Sequence, residues 1–335
     1  MNSTAIISAC AAAFLSASVA LGETFTNPLL DSGPDPWITT DGGYYYYTNT
    51  LGDRLELWKT DDIANLRNAE TKVVWRAPDS GPNSTSVWAP ELHRIDGKWF
   101  LYYTAADKAH DDDAHRHIFV LENDATDPLA GAWVDRGMLA TDHTGIDATV
   151  FSDQGKLYLV YSAYVGPDSD LIIAEMANPW TVSARQVDIA APTFDWEKRG
   201  KRQILEGPEF LNGKMGQRML TYSASACWSD DYSLGLLTAP AGADLLDPKS
   251  WTKSPQPVFK KSPANSVYAP GHNGFFQSLD GRQDWIVYHA NSGPGQGCGR
   301  GRSPRIQQFG WKPDGTPDFG EPVRAGVPLA APSNR

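Results

Sequence analysis

Short apolar runs recur along this sequence, each closed by a Gly or Asp turn and answered by an aromatic run. In the first, Trp37 and Ile38 lead through Asp41-Gly42-Gly43 to Tyr44-Tyr45-Tyr46-Tyr47-Thr48. The second opens at Trp88-Ala89-Pro90-Glu91, turns at Asp96-Gly97 and continues from Trp99 to Tyr103-Thr104-Ala105. The third runs from Asp147 through Gln154-Gly155 to Tyr161-Ser162-Ala163, and the fourth from Glu206-Gly207-Pro208-Glu209 past Gly216 to Tyr222-Ser223-Ala224. The fifth runs from Tyr268-Ala269-Pro270-Gly271-His272 through Asp280-Gly281 to Tyr288-His289-Ala290. Apolar runs of this length flanking Asp-Gly or Gly-Gly predict β-hairpins. No long stretch carries a helical period.

The polar residues that open the five units, at positions 35, 91, 147, 206 and 272, lie 56, 56, 59 and 66 residues apart. Each unit has room for about four strands and their loops, and repeated four-stranded sheets of this size close radially. The pattern predicts an all-β, five-bladed β-propeller in one domain over residues 23–335. The tail from Arg305 to Trp311 alternates like a strand and is expected to complete the last blade or fasten it to the first.

Composition sharpens this reading. The 335 residues include 12 Trp, 13 Tyr and 12 Phe, enough to build a β-rich core and to offer flat apolar faces to sugar rings. The formal net charge of −11, with no basic stripe, argues against nucleic acid and anionic membrane as partners. The first 22 residues contain no charged side chain and end in a small-x-small step, Ala20 to Gly22, which reads as a secretory signal peptide over residues 1–22. A secreted, extracellular location follows. Removal of the leader takes away Cys10 and leaves Cys227 and Cys298, which are expected to pair in an oxidising compartment and to contribute about 4 kcal/mol on the chain-entropy model. Asn83-Ser84-Thr85 is a glycosylation sequon.

The first strand of a propeller blade lines the central channel, so Asp35, Glu91, Asp147, Glu206 and His272 should converge there. Crowded carboxylates in a buried funnel disfavour ionisation, a cost with little structural return. A catalytic site uses that cost, because it needs one carboxyl protonated and another ionised at the same pH. Glycoside hydrolysis requires that division: an acid protonates the leaving oxygen while a base activates water or a nucleophile attacks. The run from His110 to His117, with three Asp and three His, reads as a solvated loop at a blade edge or funnel rim rather than a metal cluster.

These residues resemble glycoside hydrolase family 43 in order and spacing. The resemblance rests on Asp35-Pro36, Trp88-Ala89-Pro90, Ile146-Asp147-Ala148, Glu206-Gly207-Pro208 and Gly271-His272, and covers residues from about 27 to 330. It implies a five-bladed propeller and an inverting mechanism, with Asp35 as general base, Glu206 as general acid, and Asp147 tuning Glu206. The carboxyls of Asp35 and Glu206 would then stand roughly 6.5–9.5 Å apart. The resemblance also brings a structural calcium ion at the propeller centre, with His272 as its ligand. No cofactor is needed for the chemistry.

The stretches Asn27-Pro28-Leu29-Leu30, Tyr222 to Gly235 and Tyr268 to Asn273 look most like the family's exo-acting α-L-arabinofuranosidases. The implied substrate is plant cell-wall α-1,5-linked arabinan or its oligosaccharides, and the protein is expected to act as a monomer. Trp37, Trp88 and Trp228 are candidates for aromatic walls around the terminal sugar. Arg302, Arg305 and His272 are candidate donors to its hydroxyls. A β-xylosidase or an endo-arabinanase on the same scaffold is the alternative, and a non-catalytic carbohydrate-binding propeller is the alternative of another class.

Overall fold

The computed structural model describes residues 23–334. The expected signal peptide, residues 1–22, lies outside them. Five of the seven antiparallel sheets among the described residues follow one another in sequence order around one axis, and the other two are short two-stranded pairs. Blade 1 consists of Trp37–Asp41, Tyr44–Thr48, Arg54–Thr60 and Glu70–Arg76. The inner strands of the next four blades are Thr85–Ile95, Gly145–Asp153, Leu205–Asn212 and Tyr268–Gln277. Blades 2, 3 and 4 each have four strands, and blade 5 has three.

The missing edge of blade 5 is supplied by the start of the chain. Asn27 bonds Ile306 in both directions, at 2.8 and 2.9 Å, and the N–H groups of Leu29 and Gly33 donate to the carbonyls of Pro304 and Arg302. Thr24–Thr26 pairs antiparallel with Pro328–Ala330 on the outside. The tail therefore does both things expected of it: Ser303–Gln308 is the third strand of blade 5, and the chain ends clasp blade 5 to blade 1.

The aromatic runs fill the gaps between blades. Tyr46, Leu55 and Leu57 of blade 1 pack on Trp99, Leu101 and Tyr103 of blade 2. Phe276, Trp285, Val287 and Ile306 of blade 5 pack on Ile38, Tyr45 and Tyr47 of blade 1, closing the ring. Among the described residues there are five such clusters, one per blade junction. Burial of apolar area at about 25 cal/mol per Å² makes these junctions the main stabilising element.

A second device repeats around the ring. Hydrogen bonds from each blade's second strand or the loop after it reach the kinked inner strand of the next blade. The Thr50 hydroxyl accepts from the Ala89 N–H at 2.7 Å, Thr104 from Asp147 at 3.0 Å, and Ser223 from His272 at 2.7 Å. The Ser162 hydroxyl donates to the Leu205 carbonyl at 2.7 Å. Between blade 5 and blade 1 the same place is taken by His289, whose Nδ1 accepts from the Asp35 N–H at 3.1 Å. The recurring Ser/Thr-Ala endings in the sequence are, for the most part, these latches.

Candidate active site

The inner strands are kinked where they carry their polar residues. Asp35, Ala89, Asp147 and His272 have φ of 54°, 44°, 56° and 47°, in the left-handed region that L-residues avoid, and Gly207 has φ 53° beside Glu206. The strand pairing shifts register at Ile146/Thr149, Glu206/Glu209 and Gly271/Gly274. Such bulges re-aim a side chain that a regular strand would point elsewhere. Here they turn two acids and a histidine toward one point, and Asp35, just before the strand Trp37–Asp41, joins them through its own left-handed φ; the inter-blade latches offset part of the backbone cost.

Asp35, Asp147, Glu206 and His272 line one cavity of about 270 Å³, together with Thr50, Trp88, Ile146, Arg302 and the Cys227–Cys298 disulfide. That is roughly nine water volumes, on the scale of one sugar ring, and a second cavity of about 480 Å³ shares Thr50, Cys298 and Arg302 with it. Asp35 is held on every side. Its Oδ2 accepts from Thr50 at 2.6 Å, and its Oδ1 accepts from Arg302 at 2.9 Å with His272 Nδ1 at 3.4 Å. Glu206 accepts from the Tyr232 hydroxyl at 2.7 Å. Asp147 accepts from the Gly207 N–H at 3.1 Å, which ties it to the residue after Glu206. Donor atoms of Asp147, Glu206 and His272 lie within 4.8 Å of one another, whereas Asp35 stands outside that trio and reaches it through His272.

These surroundings divide the carboxyls by charge. Burial alone would raise the pKa of Asp35, but Arg302 and His272 outweigh it and hold the group well below the usual carboxylate range. For Asp147 burial dominates, and the adjoining Glu206 and Asp35 add repulsion, so its pKa is pushed up to about 8. Glu206 is also raised, by burial first and then by Asp35, against the Tyr232 hydroxyl. Asp147 and Glu206 titrate as a pair that retains a proton at neutral pH. Burial works against a charged His272, but Asp35, Asp147 and Glu206 outweigh it and raise its pKa. The site thus holds an ionised carboxylate, a carboxyl pair that keeps a proton, and a histidine whose protonation the three acids favour, in one small cavity.

The structure separates the other candidates. Trp88 lines the cavity, with the Arg116 guanidinium 4.5 Å above its ring. Trp37 does not: its indole donates to the Leu92 carbonyl at 3.0 Å and packs on His93 between blades 1 and 2. Trp228 is 51% exposed and pinned to the Gly200 carbonyl, next to the cavity-lining Cys227 but outside the cavity itself. Arg302 is committed to Asp35. Arg305 is fully buried on the third strand of blade 5, donating to Ser292, and does not reach the cavity. Glu91 bonds His93 at 2.8 Å, and Glu209 is buried beside Glu91, its carboxyl raised far above its ordinary range by burial and that neighbour. Asn83 is buried, with its amide nitrogen donating to Tyr103.

Thr50, Tyr232 and His289 were not singled out from the sequence. Thr50 lies in the loop just past the strand Tyr44–Thr48 and Tyr232 just before the strand Ser233–Ala239, where residue type alone carries no catalytic signal. His289 fills a Ser/Thr position of the repeat, and that departure was a readable sign.

The rim also has structure. Asp113 bonds Arg116 at 2.5 Å and Arg202 at 2.7 Å, while Arg202 lies 5.1 Å over the Tyr164 ring. The acidic, His-rich run is therefore a clasp linking the loop of blade 2 to the loop before blade 4. Among the described residues only Asp147, Glu206 and His272 form a group able to hold a metal, and that run does not.

Residues 25–317 match the family described as glycosyl hydrolases family 43. The chain belongs to that family. Curated relatives of this family 43 protein include an extracellular exo-α-(1→5)-L-arabinofuranosidase of Streptomyces avermitilis, 43% identical over 91% of this chain and 65% of the relative. A protein of the same description from Streptomyces chartreusis is 42% identical over 79% of this chain and 82% of its own length. The chain thus spans about two thirds of the length of the first relative and more of the second. The crystal structure of an α-L-arabinofuranosidase from Lactobacillus brevis superposes with a TM-score of 0.85 at 37% identity, covering 90% of this chain and 98% of that one.

Proposed function

We propose that this protein is an inverting, exo-acting α-L-arabinofuranosidase that releases arabinose from α-1,5-linked arabinan and its oligosaccharides outside the cell. The observation that carries this reading is the charge division in the cavity: Asp35 held ionised, and the Asp147–Glu206 pair holding a proton. Asp35 is the general base and deprotonates a water molecule that attacks the anomeric carbon. Glu206 is the general acid and delivers its proton to the leaving oxygen. Asp147 keeps that proton on the pair by repulsion and positions the sugar. Asp35 and Glu206 line the same cavity, in which inversion needs a water molecule between the base and the sugar.

The relatives named above support arabinose as the sugar, and their description as extracellular supports secretion. A monosaccharide-sized cavity with the Asp113 clasp on its rim supports exo action. Asp147, Glu206 and His272 are the residues that would hold a divalent cation, and they would bind it only after giving up their protons, so the ion and the protonated carboxyl pair are alternative states of the cavity; three protein donors fill at most half of a calcium shell, and water would complete it. Such an ion would supply fixed positive charge, and no proton transfer is routed through it.

Digestion of linear α-1,5-arabinan, followed by chromatography, tests the reading. Arabinose alone from the first minutes is expected. A ladder of oligosaccharides would mean endo action, and release of xylose from xylobiose without arabinose would overturn the choice of sugar.

A further inference from the structure

The catalytic base and acid each depend on a partner from a loop, and one covalent bond joins the two loops. Arg302, which holds Asp35, ends the segment 292–302. That segment contains Gly293, Gly295, Gly297, Gly299 and Gly301, alternating with other residues. Glycine at this density leaves the unfolded and native backbone many conformations, so the sequence gives the loop little rigidity of its own. Its ends are held by Arg305 on Ser292 Oγ at 2.8 Å and by the Gly33 N–H on the Arg302 carbonyl at 3.0 Å; between them stand Ser292 N–H to Gln296 Oε1 at 3.2 Å, Asn291 to the Gly297 carbonyl at 3.0 Å, Gly295 N–H to Asp230 Oδ1 at 2.9 Å, a weak turn from Arg302 to Gly299, and the bond from Cys298 to Cys227. Cys227 lies in the other loop, between the strands Arg218–Ala224 and Ser233–Ala239, five residues before Tyr232, whose hydroxyl holds Glu206. Both sulfur-bearing residues line the catalytic cavity.

We propose that the Cys227–Cys298 disulfide is a positioning element of the active site: it holds the glycine-rich loop so that Arg302 stays on Asp35, and it ties that loop to the one carrying Tyr232. A bond serving only global stability has no need to sit in the cavity wall, four residues from the base's partner. This inference rests on the proposed hydrolase reading.

The test compares wild type, C227A/C298A, R302A and the triple variant on 4-nitrophenyl α-L-arabinofuranoside, with melting temperature and loop hydrogen exchange measured alongside. The disulfide-free enzyme is expected to fold, to show faster exchange over residues 293–302, and to lose about ten- to a hundredfold in kcat with a smaller change in KM. R302A is expected to cost much less in the disulfide-free background than in wild type, because the two changes remove the same contact. Unchanged kcat with a lowered melting temperature, or fully additive losses, would overturn the inference. If C227A/C298A does not fold, native enzyme is reduced with a water-soluble phosphine, which is oxidised to its oxide as two thiols form. Loss of kcat in step with thiol release is then expected, and full activity with both thiols free would overturn it. A wild type that does not cleave the substrate would instead count against the hydrolase reading, while the exchange comparison would still report on the loop.

Discussion

The backbone N–H of Asp35 donates to Nδ1 of His289 across the junction between the last blade and the first. The contact joins ring closure to catalysis, because the residue latched is the proposed base. His289 is fully buried, and burial, with Arg302 adding to it, drives its pKa well below the ordinary value. It therefore stays neutral and free to accept. His289→Ala should leave the Asp35 N–H unpaired and cost about 1–3 kcal/mol of stability, read by urea unfolding at neutral pH. The pH dependence has a definite sign. The unfolded chain takes up a proton at His289 below about pH 6.5 while the folded chain does not, so this residue's contribution is present above that pH and lost as pH falls. The variant should lack that part of the slope.

Activity should follow a bell whose two limbs come from different groups. Asp35 is held low, so kcat/KM should stay high down to pH values below about 4. The basic limb should follow loss of the proton shared by Asp147 and Glu206, with Asp147 at about 8. Arg302→Met removes the strongest positive charge beside Asp35, and its acid limb should move to higher pH. An unmoved limb would show that Arg302 does not set the base's ionisation.

Acid and base should part company with leaving-group quality. Glu206→Ala should cost about 10²–10⁴-fold on arabinobiose, and far less on a 4-nitrophenyl glycoside whose phenolate departs without protonation. Asp35→Ala should be equally damaging on both, since water must be activated in either case. Parallel losses for Glu206→Ala on the two substrates would count against its role as general acid.

The rim clasp gives a prediction about product pattern. Asp113 is partly exposed and its ion pairs contribute little to stability, so Asp113→Ala should leave the melting temperature nearly unchanged. Freed from it, Arg116 and Arg202 should let the loops open, and short oligosaccharides should join arabinose among the products of arabinan. Unchanged products would place the control of chain-end cutting elsewhere.

The propeller was legible because its signals repeat: one hairpin pattern can be accidental, but five at near-constant spacing point to radial closure. The meeting of Asp35, Asp147 and Glu206 was legible for the same reason, since each opens a repeat and the inner strand must face the axis; Glu91 opens a repeat as well, but it turns to His93 and does not line the cavity. The aromatic and arginine candidates fared unevenly. Trp37 lies two residues after Asp35, and strand alternation does not say whether an indole faces the channel or the neighbouring blade; the Leu92 carbonyl decides it. Arg305 alternates inward on the third strand of its blade, too far from the axis to meet a sugar. Thr50 and Tyr232 could not be read at all, because loop residues reach the site through folding of the whole ring rather than through a local period.

The most direct test of the two-carboxylate account is the anomeric configuration of the first arabinose released, followed by proton NMR with enough enzyme to outrun mutarotation. The account predicts that the β-anomer appears first and the α-anomer only later, by equilibration. An α-anomer present from the first spectrum would mean retention, a covalent intermediate, and a nucleophilic rather than water-activating Asp35.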